Sequence, residues 1–176
     1  MNHRLADPAD VFLKPGEYFV GEKGRVRTLL GSCVSITLWH PQRRLGAMSH
    51  FLLWSRRGEH AALDARYGVD VMTLMLQGLA RLGVRGNECD AKLFGGGNMF
   101  PAQTLAQPPG TAMAGVGQNN GSQARRLLQE SGIRLVSESL FGVGHRQILF
   151  DLHSGEVWSR QVQPVNPTPS TWGDNL

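Results

Sequence analysis

Apolar and polar residues alternate most regularly between Val34 and Leu38, where Ser35 and Thr37 separate Val34, Ile36 and Leu38. A period of two predicts a strand with one buried face. His40, Pro41, Gln42, Arg43 and Arg44 interrupt it with turn and surface chemistry. Ala47 to Trp54 is a second apolar run of strand length, so the economical reading is an antiparallel hairpin. If that hairpin is centred between Pro41 and Gln42, Cys33 faces His50. A shift of two residues leaves the pair diagonal on one face, and a slip of one residue separates them onto opposite faces. Cys33 also follows Gly31-Ser32, a turn whose backbone N–H groups at Ser32 and Cys33 are candidate oxyanion donors.

The pattern elsewhere adds shorter strands and two helices. Tyr18 to Val20 reads as a short strand after the Pro15-Gly16 turn, and Val26 to Leu30 as a strand running into the Gly31-Ser32 break. Val71, Met72, Met75, Leu79 and Leu82 recur at helical spacing, predicting a helix from Ala65 or Val69 to Leu82 with Gly83 at its end. The methionines are core residues of that helix. Cys89 to Phe94 reads as a strand entering Gly95-Gly96-Gly97-Asn98. A prolyl loop covers residues 101–114, and Ser122 caps a helix over Gln123 to Ser131 that ends at Gly132. Strands are expected at Ile133–Glu138, Gln147–Leu152 and Glu156–Val162. Strands and helices mix without a β-α-β rhythm. The fold class is therefore α+β, a layered α/β/β domain with a mostly antiparallel core and two main helices. Residues 1–10 are expected to be a loose N-terminus, 11–162 one domain, and 163–176 a flexible proline-rich tail.

Composition narrows the function. Hydrophobic residues make up 41% of 176, enough for a real core. No apolar run approaches the roughly 18 residues of a membrane span, and no apolar signal-peptide core opens the chain, so a cytoplasmic location is expected. The net charge of +4 comes from scattered arginine pairs without interleaved aromatics, which argues against nucleic acid. Neither cysteine, Cys33 or Cys89, belongs to a Cys-x-x-Cys, and no two of the six histidines have His-x-x-x-His spacing. A structural zinc site and a disulfide are both disfavoured. The glycine cluster at Gly95 lacks the Gly-Lys-Ser/Thr of a phosphate loop, and Gly115-Val116-Gly117 has its third glycine, Gly121, one residue late for a dinucleotide fingerprint.

The remaining chemistry centres on Cys33. A nucleophilic thiol needs a base, and a third group that orients the base. His50 is the best-placed base, and Thr28 supplies a hydroxyl across the Gly31-Ser32 break, with Ser32, Ser35 and Ser49 as alternatives. No Asp or Glu lies between Arg25 and Arg57, so a third member from this region is neutral. The opposing reading is a buried structural cysteine beside a satisfied core histidine. The glycines carry two readings as well. Gly95, Gly96 and Gly97 either line a shallow surface where a partner helix approaches, helped by the amides of Gln118, Asn119 and Asn120, or they allow a tight core turn.

Thr28-Leu29-Leu30-Gly31-Ser32-Cys33-Val34 followed by Gly46-Ala47-Met48-Ser49-His50-Phe51-Leu52-Leu53 resembles the chemoreceptor glutamine deamidases, the CheD family. Pro15-Gly16-Glu17-Tyr18, Arg66-Tyr67-Gly68, Leu82-Gly83, Ala91 to Phe100, Val116-Gly117-Gln118-Asn119-Asn120, Gly132-Ile133 and Gly155-Glu156-Val157 continue the resemblance in order over roughly residues 11–160. It implies a cysteine, histidine and threonine site carried over to Cys33, His50 and Thr28. The implied reaction hydrolyses a protein glutamine through a thioester, with no metal or nucleotide. The implied substrates are glutamines on the cytoplasmic helices of chemoreceptors, and a CheC-type response-regulator phosphatase is an implied partner. Asn119 stands where the family commonly has arginine, and Trp54 where it commonly has proline. Some members have one more residue between the threonine and the cysteine. Two other function classes remain at this point: a non-catalytic binding module for receptors or a phosphatase, and another cysteine acyl-transfer enzyme such as a small-amide hydrolase or peptidase.

Overall fold

A computed structural model describes residues 10–56, 58, 62–99 and 115–162. The expected loose N-terminal residues up to 9, the loop at 101–114 and the tail at 163–176 lie outside these. Among the described residues, nine strands and two helices follow in the order β1 (Asp10–Phe12), β2 (Tyr18–Gly21), β3 (Arg25–Leu30), β4 (Val34–His40), β5 (Leu45–Ser49), α1 (Gly68–Arg81), β6 (Asp90–Gly95), α2 (Val116–Glu130), β7 (Arg134–Leu140), β8 (His145–Asp151) and β9 (Val157–Val162). Asp10, expected in the loose N-terminus, instead opens β1. The strands form a five-stranded sheet, β2-β5-β4-β6-β7, and a four-stranded sheet, β1-β3-β8-β9. Pairing is antiparallel except at β1–β3 and β6–β7. This is the layered α+β fold expected from the sequence. No described helix is long and apolar enough to cross a membrane.

Two apolar clusters separate the layers. Val71, Met72, Met75 and Leu79 form one buried stripe on α1 and pack with Val34, Ile36, Leu38, Leu93 and, from α2, Ala124 and Leu128. Each such side chain, fully buried, contributes about 1.5–3 kcal/mol. Leu13, Val26, Leu30, Met48, Phe94, Ile148 and Phe150 fill the second cluster, between the two sheets. Strand β4 therefore has cover on both sides. The alternation that predicts one buried face misleads here: Ser35 and Thr37, its polar residues, are as buried as Val34 and Ile36. They face the four-stranded sheet, whose strands come from distant parts of the chain.

The hairpin register resolves the expectation about Cys33 and His50. Thr37 pairs with Met48, and Val34 with Phe51. The hairpin is thus centred between Gln42 and Arg43, the two-residue shift that keeps Cys33 and His50 on one face. Carried to its end, the register places Ser35 across from His50 and Cys33 across from Leu52.

Helix α2 starts at Val116 rather than Gln123, and Ser122 lies exposed within it rather than capping it. Gly117 and Gly121 read as a loop by propensity, yet packing makes helix there. A Cβ on Gly117 would lie 2.6 Å from the Gly96 carbonyl oxygen, and one on Gly121 would lie 2.6 Å from the Phe141 ring. Tertiary contact outweighs the cost of glycine in a helix, about 1 kcal/mol. Gly95, Gly96 and Gly97 are all buried in this crossing. That corrects the expectation of an open, glycine-lined surface, because the bare backbone is used for close packing instead.

Gly96 has φ +65°, and a Cβ there would meet the Gly117 carbonyl oxygen at 2.7 Å. Gly96→Val is expected to cost at least about 2 kcal/mol, combining left-handed strain with a backbone clash. The midpoint of a denaturant melt reads it. An unchanged midpoint would show that the crossing is looser than described.

Candidate active site

Two polar side chains, Thr28 and His50, meet in the space between the sheets. On β3, Val26, Thr28 and Leu30 point inward while Arg27 and Leu29 are exposed. Thr28 is therefore aimed at the five-stranded sheet. His50 lies just past β5, on the face of Met48. Its backbone is tied to the β2 side, with its N–H donating to Glu17 O at 3.0 Å and its carbonyl accepting from Gly16 N at 2.8 Å. Thr28 and His50 are each only 2% exposed.

The Thr28 hydroxyl settles the histidine's tautomer. Thr28 Oγ1 donates to Leu13 O at 2.7 Å. The same oxygen lies 2.7 Å from His50 Nδ1. A hydroxyl has one hydrogen, and the Leu13 carbonyl can only accept, so the hydrogen between Thr28 and His50 belongs to the ring. Neutral His50 is the Nδ1–H tautomer, with the Nε2 lone pair available for a proton. Burial pushes the His50 pKa below its ordinary 6.5, opposed by the Leu13 carbonyl and by the charge of Glu17. The ring is therefore neutral at pH 7.

Cys33 is partly exposed and carries no disulfide. Burial raises its thiol pKa above 9.0, and its own backbone N–H, directed at the sulfur, offsets part of that. Both shifts favour the neutral forms, a thiol and an imidazole. The turn before Cys33 is held from behind. Gly97 N donates to Gly31 O and Gly96 N to Cys33 O, both at 2.8 Å. Asn120 Nδ2 donates to Ser32 O at 3.4 Å. Three consecutive carbonyls are thus engaged on the side of the glycine segment and α2. Among the described residues, the N–H groups of Ser32 and Cys33 have no backbone acceptor.

The other expected site residues divide. Gly95, Gly96 and Gly97 lie behind the Cys33 turn as packed backbone. Asn120 is buried and bonds to the main chain, while Gln118 and Asn119 are exposed on the first turn of α2. Two contributors escape a reading of the sequence. The Leu13 carbonyl orients Thr28, and no residue type announces a carbonyl. Glu17 lies far from His50 in the chain but pairs with it by backbone. Ser35, one of the hydroxyl alternatives to Thr28, stands across from His50, and its buried hydroxyl has no hydrogen-bond partner among the described residues. Cys89 contrasts with Cys33: burial, then Glu88 and Asp90, push its thiol up to about 12.

Residues 53–161 match the family model described as CheD chemotactic sensory transduction. A relative from Albidiferax ferrireducens, named probable chemoreceptor glutamine deamidase CheD 2, is 53% identical over 98% of this chain and 99% of its own. Another from Dechloromonas aromatica, named probable chemoreceptor glutamine deamidase CheD 3, is 48% identical over 85% of both chains. A relative from Pseudomonas syringae pv. syringae, named probable chemoreceptor glutamine deamidase CheD, is 42% identical over 89% of this chain and 86% of its own. With identity of this extent over nearly the whole chain, the chain belongs to the CheD family.

Proposed function

We propose that this protein is a chemoreceptor glutamine deamidase and that Cys33, His50 and Thr28 carry the reaction. The observation that carries the site assignment is the Leu13–Thr28–His50 hydrogen-bond chain, which leaves Nε2 as a base on the face that also bears Cys33. As the Cys33 sulfur attacks the side-chain carbonyl carbon of a receptor glutamine, His50 Nε2 takes the thiol proton. The carbonyl oxygen becomes an oxyanion, held by the N–H groups of Ser32 and Cys33. His50 returns the proton to the nitrogen, the C–N bond breaks, and ammonia leaves a thioester. Water then gives a proton to Nε2 and attacks the thioester carbon. The C–S bond breaks, the thiolate recovers the proton, and glutamate remains. Gln118 and Asn119, exposed at the start of α2, are the amides that meet the receptor helix beside the target. A CheC-type phosphatase is the second protein partner in this reading.

Intact-mass analysis of a chemoreceptor cytoplasmic fragment tests the reaction. Each deamidation exchanges an amide for an acid and adds about 1 Da. Cys33→Ala is expected to lower the rate at least about 10³-fold with an unchanged melting temperature. A folded Cys33→Ala with near-normal turnover would remove Cys33 from the chemistry. A wild-type protein that binds the fragment and changes no mass would make this a binding module.

Thiol reactivity tests the neutral resting pair. Native protein treated with iodoacetamide is expected to gain one adduct, at Cys33, and unfolded protein two, because Cys89 stays a buried thiol. Since the Cys33 pKa lies above its ordinary 9.0, the alkylation rate should climb with pH through neutrality and past that value without levelling. A plateau at acidic pH would reveal a thiolate–imidazolium pair instead.

Thr28→Val keeps the β-branched shape and deletes the hydroxyl. It leaves His50 Nδ1–H and Leu13 O without their shared partner, at an expected cost of about 1–3 kcal/mol in stability. Turnover should fall at least about tenfold as the base loses its orientation. Wild-type turnover in the folded variant would show that Thr28 does not orient His50.

A further inference from the structure

Asn120 is 1% exposed on the second turn of α2, anchored there by the buried Ala124 and Leu128 of the same helix. Its side-chain nitrogen donates twice, to Leu52 O at 2.8 Å and to Ser32 O at 3.4 Å. Ser32 immediately precedes Cys33, and Leu52 follows His50-Phe51. The last backbone pair of the hairpin, Val34 N to Phe51 O at 3.1 Å and Phe51 N to Val34 O at 3.0 Å, lies just inside these two carbonyls. Beyond that pair, one amide bridges the two segments that bear the thiol and the imidazole.

The orientation of this amide is determined by its partners. Both are carbonyl oxygens, so only the NH2 group can face them, and a flipped amide would set three oxygens against one another. The side-chain oxygen, Oδ1, is buried with no hydrogen-bond partner among the described residues. An unpaired buried acceptor is costly. It is kept here beside two carbonyls that converge on one point and that repel unless a donor lies between them. An apolar side chain at this position would avoid the unpaired oxygen and lose the bridge.

We infer that Asn120 is a positioning residue: its side-chain amide clamps the Ser32 and Leu52 carbonyls together and thereby sets Cys33, its oxyanion N–H groups and His50 in register for attack. This rests on the proposal that Cys33 is the nucleophile. It gives Asn120 a role on the main chain of the site rather than on the substrate, unlike the exposed Gln118 and Asn119.

The test uses the full chain and a chemoreceptor cytoplasmic fragment, with ammonia release, melting temperature and Cys33→Ala run in parallel. Asn120→Ala removes both donors. Its kcat is expected to fall about 10²-fold, the scale of a misplaced reacting group, with KM within about threefold. Asn120→Asp keeps the shape and loses both donors while ionised. Its kcat relative to wild type should recover as the pH is lowered, because a protonated carboxyl regains one O–H donor. The inference is overturned if folded Asn120→Ala has wild-type kcat, if its loss lies only in KM, or if both variants lose turnover only in proportion to the fraction unfolded. A Cys33→Ala protein that still turns over removes the nucleophile and this inference with it. A silent Cys33→Ala beside a fully active Asn120→Ala removes the positioning role alone.

Discussion

The hydrogen bond between Thr28 and His50 joins the two sheets at the point where the chemistry is proposed. Thr28 belongs to β3 of the four-stranded sheet, His50 follows β5 of the five-stranded sheet, and the Leu13 carbonyl that orients the hydroxyl lies in the crossing between β1 and β2. The bond forms only if the sheets close at the correct distance and in the correct register. The apolar cluster of Leu13, Val26, Leu30, Met48, Phe94 and Phe150 holds that spacing. Core packing therefore sets the tautomer of a base, and the tautomer sets which ring nitrogen is free to move a proton. A change in that core would register in the chemistry before it unfolded the protein.

Burial then decides the resting charge. It lowers the His50 pKa and raises that of Cys33, so both shifts favour neutral forms. In the proposed reaction, proton transfer from Cys33 to His50 therefore accompanies attack instead of preceding it. The histidine shift also has a stability consequence. The folded ring binds a proton at lower pH than the unfolded ring, whose ordinary value is 6.5, so stability is full above that value and declines as pH falls below it. Cys89 shows the same burial without the use. Its thiol donates to the Arg85 carbonyl at 3.8 Å, Glu88 and Asp90 oppose its ionisation, and it serves the apolar core.

Much of the site was legible because it is local. The hairpin that brings Cys33 and His50 to one face spans a short stretch, and either even-numbered register keeps them together. The resemblance then picked Thr28 from the neutral hydroxyls nearby. What stayed hidden is long-range. Ser35 and Thr37 read as solvent-facing because nothing in their neighbourhood announces β3 and β8 across from them. Gly117 and Gly121 read as loop because propensity ignores the Gly96 backbone and Phe141 ring against which they pack. Gly95, Gly96 and Gly97 allowed two readings, since a residue without a side chain suits both a close partner and a close neighbour. Asn120 was legible as a polar group near the site, but its two carbonyl partners belong to a contact between α2 and the hairpin that no spacing encodes.

The orientation of His50 by Thr28 is the claim on which the proposed chemistry turns, and nitrogen NMR of the ring measures it directly. In protein labelled with 15N at histidine, His50 at pH 7 should show a protonated Nδ1 and an unprotonated Nε2. A neutral ring with the hydrogen on Nε2, or an imidazolium at that pH, would contradict the account.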